Sequence, residues 1–163
     1  MTIITKIGIV MLTALIMEFV AWFTHKYVMH GFLWSWHEDH HDPKMKHGFF
    51  EKNDRFFLVF AVPSFFCYMF GSFLDGYSFL LFIGMGISVY GLIYFLIHDV
   101  YIHRRFSWFK HLDSKYSRAV LRAHGAHHAH IGKEDGESFG LLVFDLKYFR
   151  KRKEWSKYIK QDS

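Results

Sequence analysis

FFLVFAVPSFFCYMFGSFL (Phe56–Leu74) and FLLFIGMGISVYGLIYFLI (Phe79–Ile97) contain no charged residue and are separated only by Asp75, Gly76, Tyr77 and Ser78. Each run is 19 residues long. At about 1.5 Å per residue, a helix of that length covers about 28 Å, close to the roughly 30 Å hydrocarbon core of a bilayer. So short a connection makes the pair an antiparallel transmembrane hairpin. A third apolar segment, residues 7–24, is interrupted by Glu18 and runs straight into EFVAWFTHKYVMH. With Lys6 as its only early cation and no small-residue cleavage site, it reads as a retained span rather than a signal peptide. The FGLLVFDLKYF stretch from Phe139 is too short to span and carries Asp145 and Lys147, so it is expected at the interface or packed on the bundle. The fold class expected is an all-α integral membrane protein of three, or at most four, transmembrane helices, forming a single domain over residues 1–163 with spans near 7–24, 56–74 and 79–97.

The 163 residues are 52% hydrophobic yet carry a net charge of +5, so apolar and basic residues must be segregated along the chain. The hairpin puts the 25–55 loop and the 98–163 tail on one side of the membrane. That side holds 19 of the 20 Lys and Arg and all 13 histidines. The positive-inside rule makes it cytoplasmic, which in a bacterium places the chain in the inner membrane with its C-terminus inside. Cys67 is the single cysteine, so it forms no intramolecular disulfide and packs as a small apolar side chain. The basic, aromatic tail, residues 145–163, suits anionic headgroups or an acidic redox partner better than nucleic acid.

The histidines are ordered. The first span runs into HKYVMH (His25, His30), followed by HEDHH (His37, His40, His41); the third runs into HDVYIH (His98, His103), followed by HGAHH (His124, His127, His128). The boxes fill 25–41 and 98–128 and leave out His47, His111 and His130, which read as surface or hydrogen-bonded residues. Spacings of three and four put each His-rich triplet on one helix face, able to present three imidazoles in one direction. A spacing of five leaves two rings about 140° apart on an ideal α-helix, so the helix is expected to widen towards π geometry or each pair to flank the site. Ten nitrogen donors exceed what one four- to six-coordinate ion uses, which implies two metals, and imidazole suits Zn, Cu, Fe or Ni. Zinc would mean hydrolysis or structure and iron oxygen chemistry. Trp22, Trp34, Trp36 and Trp108 mark the interface, where a metal pair can reach a lipid-dissolved substrate.

Metal-bound histidines commonly hand their other N–H to a carboxylate, which nominates Asp39 and Asp99 as supporting groups. Glu18, an acid inside a span, precedes His25 by seven residues on the same face but about 10 Å away, too far to share its ligand set. Helix pairing and a proton path are both open to it. Gly84 and Ser88 make a small-xxx-small step for close helix contact, and Pro63 is a candidate kink.

HKYVMHGFLWSWHEDHH, FEKNDRFF, HDVYIHRRF, RAHGAHH and SFGLLVF together resemble the bacterial non-haem di-iron β-carotene hydroxylases of the membrane-bound fatty acid hydroxylase and sterol desaturase superfamily. That resemblance implies hydroxylation of carbon 3 of β-ionone rings, taking β-carotene through β-cryptoxanthin to zeaxanthin with O2 and two electrons per hydroxyl. It carries the ten box histidines over as ligands of two iron ions and leaves Glu18, His47 and His130 without a role. With no Gly-rich dinucleotide fingerprint and no Cys cluster in the chain, electrons from NAD(P)H are expected through an external ferredoxin and reductase. The competing readings are a hydroxylase, desaturase or C4 ketolase acting on another lipid, and a membrane metal transporter or bis-His haem protein. Histidines confined to one side and to helix ends argue against the last two.

Overall fold

The computed structural model describes residues 1–45, 48–109 and 111–150. His47, the tail from residue 151 and the sequence expectations that fall on them lie outside the described residues. Three helices are long and apolar enough to cross a membrane: Ile3–Phe32, Lys52–Phe73 and Phe79–Ile102. The chain is a multi-pass membrane protein, and no strand occurs among the described residues.

α1 (Ile3–Phe23) starts where the Thr2 hydroxyl accepts the Thr5 N–H at 3.2 Å, and it continues as a π-helix over Thr24–Phe32. α2 (Trp34–His41) follows a kink at Gly31. A short 3₁₀ turn, Lys52–Phe57, leads into α3 (Leu58–Phe73). After the hairpin turn α4 (Phe79–Tyr94) runs back and also widens to a π-helix, Phe95–Ile102. α5 (Lys115–His128) opens on a reciprocal cap between Ser114 and Ser117.

α4 is the central element, packed on both α1 and α3, whereas α1 and α3 barely meet. Lipid offers no hydrophobic gain for helix association, so these crossings rest on close backbone approach and interhelical hydrogen bonds. Gly86 is where α4 meets α1: a Cβ there would lie 2.5 Å from Thr13 Cβ and 2.7 Å from Val10 O. On the α3 side, Ser64 Oγ donates to Gly84 O at 3.1 Å and lies 2.8 Å from Ser88 Oγ, which bears out the small-residue step. The pairs Gly86–Thr13 and Tyr90–Glu18 run α1 and α4 parallel, as two spans separated by one return must be. Ile4, Phe73 and much of the remaining outer surface are exposed apolar side chains, as suits contact with acyl chains.

α5 lies across the ends of the spans. Ala119, Val120, Ala123 and Ala126 make its buried face. Ala119, Ala123 and Ala126 pack on Tyr148 of the segment that follows, while Val120 meets Ile102 at the π end of α4. The segment after it, expected at the interface or on the bundle, packs on the bundle: Leu141 joins Ile102 and Val120 in one buried cluster.

Candidate metal centre

The five-residue spacing is answered by the π-helices. His103 N–H donates to His98 O at 2.9 Å and Leu33 N–H to Val28 O at 3.0 Å, each an i to i+5 bond. The extra residue per turn draws the His25 and His30 rings to 5.3 Å and the His98 and His103 rings to 4.6 Å. The expected widening is present in both boxes.

The histidines gather into two clusters. In the first, ligand atoms of His25, His30, His37, His41 and His127 all lie within 4.8 Å of one another; in the second, those of His40, His98, His103 and His124 do. His128 borders the second, its ring 4.5 Å from His124 and 4.8 Å from His40, and also stacks on His41 at 4.5 Å. Each triplet is thus divided rather than presented in one direction. His37 and His41 turn to the first cluster and His40 to the second, while His127 joins the first and leaves His124 in the second. An i, i+4 pair and the residue at i+3 lie on adjoining parts of one face, and a helix wedged between two sites serves both.

The supporting atoms fix which nitrogen points inward. His25 Nδ1 donates to Phe139 O at 3.0 Å, His30 Nδ1 to Lys133 O at 3.1 Å, His41 Nδ1 to His130 O at 3.0 Å and His127 Nδ1 to Glu137 O at 2.9 Å. His37 Nδ1 pairs with Asn53 Oδ1 at 2.7 Å and His40 Nδ1 with Glu51 Oε2 at 2.8 Å. A neutral imidazole has one N–H, so Nε2 on each of these rings carries a lone pair. In the first cluster those lone pairs face one another: His25 and His37 Nε2 are 3.1 Å apart, His30 and His41 3.2 Å, His30 and His127 3.3 Å. In the second, the Nε2 atoms of His40 and of neighbouring His128 are buried without a hydrogen-bond partner among the described residues. Converging buried lone pairs are costly unless a cation sits among them. The donor set therefore fits a metal in each cluster, and all-nitrogen ligation suits Fe, Cu, Ni or Zn.

Electrostatics favours the same state. Burial, reinforced by neighbouring imidazoles, holds His37, His40, His124, His127 and His128 well below the ordinary histidine range. Burial, with the His30 ring beside it, pushes His41 down to about 4. All of these stay neutral and available as ligands at neutral pH.

The nominated carboxylates are placed differently. Asp39 Oδ2 accepts the Lys52 N–H at 2.6 Å, tying α2 to the turn before α3. Asp99 lies 3.7 Å from His98 Nδ1 but binds Arg105 at 3.0 Å, and Arg105 in turn grips Asp54 at 2.6 and 2.8 Å. Sequence reasoning missed Glu51 and Asn53, which support His40 and His37. Both lie in FEKNDRFF, a stretch of the family pattern to which the spacing argument assigned nothing. His111 is exposed, and His130 contributes its backbone carbonyl.

Beside the second cluster lies a cavity of about 600 Å³ between the ends of α1, α3 and α4. Ala21, Met29, Phe56, Phe60, Gly91 and Phe95 are among its mostly apolar walls, and Tyr94, His98 and Asp99 also line it.

The chain matches the fatty acid hydroxylase family over residues 10–146. It is 43% identical over 135 residues to a β-carotene hydroxylase of Pantoea ananas, covering 82% of this chain and 74% of the relative. A β-carotene hydroxylase of Paracoccus sp. (strain PC1) is 39% identical over 140 residues, covering 85% and 83%. A chloroplastic β-carotene 3-hydroxylase of Gentiana lutea is 37% identical over 129 residues, 78% of this chain and 39% of the relative. No solved structure matches.

Proposed function

The chain belongs to the fatty acid hydroxylase family, and from that premise we propose that it is a β-carotene 3-hydroxylase, converting β-carotene through β-cryptoxanthin to zeaxanthin. The observation that carries this reading is the mostly apolar cavity that His98 lines beside two imidazole clusters. A carotenoid is confined to the membrane, and a mostly apolar cavity at the ends of the spans suits its ring.

Each turnover replaces one ring C–H by C–OH, consuming O2, two electrons and two protons and releasing water. Two iron ions, held by His25, His30, His37, His41 and His127 and by His40, His98, His103, His124 and His128, would supply the oxygen activation that an unactivated carbon requires. The protein's part is placement. Phe56, Phe60 and Phe95 grip the ring, Tyr94 and His98 stop its advance, and the aromatic wall keeps water from the reacting carbon. Arg105, bound to Asp54, Asp99 and the Phe49 carbonyl, pins the 49–54 loop over the cavity mouth. The cation distribution supports a cytoplasmic position for the clusters, in this reading at a bacterial inner membrane, where a ferredoxin fed by a reductase and NAD(P)H delivers electrons.

Pigment chromatography of a β-carotene-accumulating bacterial host expressing the chain or its His127→Ala variant tests the proposal. Zeaxanthin and β-cryptoxanthin from the first alone support it. Unchanged β-carotene from a membrane-inserted chain supplied with a donor would move the substrate to another lipid.

A further inference from the structure

Four of the five imidazoles of the first cluster take their Nδ1 partners from one loop: the carbonyls of His130, Lys133, Glu137 and Phe139 serve His41, His30, His127 and His25. In the second cluster, His40 is backed by Glu51 from the opposite loop. Residues 130–145 form neither α-helix nor strand, so something else must hold those carbonyls in place.

Glu18 is placed to do it. Its Oε1 accepts three successive backbone N–H groups, from Leu141, Leu142 and Val143, at 3.1, 2.8 and 2.9 Å. Its Oε2 accepts the Tyr90 hydroxyl at 2.6 Å. The turn that wraps the carboxylate depends on Gly140, where a Cβ would lie 2.2 Å from Val143 O. An acid within a span is costly, and here one oxygen ties α1 to α4 through Tyr90 while the other ties α1 to the loop. The next residue back is Phe139, whose carbonyl holds His25 and whose ring packs 5.1–5.5 Å from His25, His30 and His127.

We propose that Glu18 is a positioning residue for the first metal site: by clamping the 141–143 turn it holds the 130–139 carbonyls against the Nδ1 atoms of that cluster, and the second site does not depend on it. The proposal rests on the two-metal reading above.

The test is anaerobic titration of the purified full chain in detergent with ferrous iron, counting iron per chain beside a far-UV circular dichroism melt. Glu18→Ala should weaken one of the two irons roughly 10–100-fold, as expected for loss of support behind a ligand, and leave the other unchanged. Glu18→Gln, which keeps one acceptor oxygen without the charge, should fall between. Tyr90→Phe, which spares the three N–H contacts, should weaken the same iron least. If Glu18→Ala does not fold, the Gln and Phe variants decide by the same selective loss. Two irons at parental affinity in the variants, or equal weakening of both, would overturn the assignment. A parental chain that binds fewer than two irons would remove the two-metal reading, and the assignment with it, before any variant is compared.

Discussion

His127 is fully buried, with Nδ1 bound to the Glu137 carbonyl and Nε2 3.3 Å from that of His30. Its position shows why spacing alone identifies ligand types but not partners. Nothing in HGAHH says that His127 leaves His124 for the opposite cluster. Nor does the sequence say that Asn53 and Glu51 are the residues that fix His37 and His40, since contacts across 16 and 11 positions leave no periodic trace. The buried imidazoles also set a pH dependence. An unfolded histidine takes up its proton near 6.5, whereas folded His41 does so only near 4. Between those values the unfolded chain binds more protons, so stability falls as pH drops and levels off below the folded value. The metal-free protein in detergent should melt at lower temperature at pH 5 than at pH 7.5, followed by circular dichroism. A melting temperature flat across that interval would mean that the folded cluster takes up protons as readily as the unfolded chain does.

The π segments show what an element contributes beyond its residues. Both box pairs spaced at five occur where an apolar helix emerges from the span, and in both the helix widens by one residue per turn. This was legible, because a five-residue interval cannot place two rings together on an α-helix. The π continuation also carries the helices beyond the apolar runs, to Phe32 and Ile102, so the ligands are built on rigid extensions of the spans. Less legible was the dominance of α4. Gly84 and Ser88 read as a small-residue step without a stated partner, and the tightest approach on α4, at Gly86, is to α1. Gly86→Val should separate α1 from α4, since its Cβ alone would fall 2.5 Å from Thr13 Cβ, at a cost of about 1–3 kcal/mol for overpacking. Reduced thermal stability of the purified protein, with some iron lost, is the outcome to look for; Gly8→Val, at a site with open space, is the control.

At the scale of the whole molecule, the three helix ends, two loops and α5 bring the mostly apolar cavity beside the histidine clusters. Gly91 sits on the cavity wall, where a Cβ would make ordinary contact with Phe60 at 3.5 Å. Gly91→Ala should therefore be tolerated, while Gly91→Leu should fill the cavity and sharply reduce zeaxanthin formation with iron content unchanged. Full activity in the leucine variant would mean that the substrate enters elsewhere. By itself the sequence determined the charge-free hairpin, the apolar first span and the ten ligand candidates, because hydrophobic run length and helical spacing are local properties. Only the tertiary structure decided how the triplets divide between two clusters, which backbone carbonyls orient them, and that Glu18 binds the turn returning from residue 140. Each of those rests on contacts between segments up to 125 residues apart, where distance along the chain carries no record of distance in space.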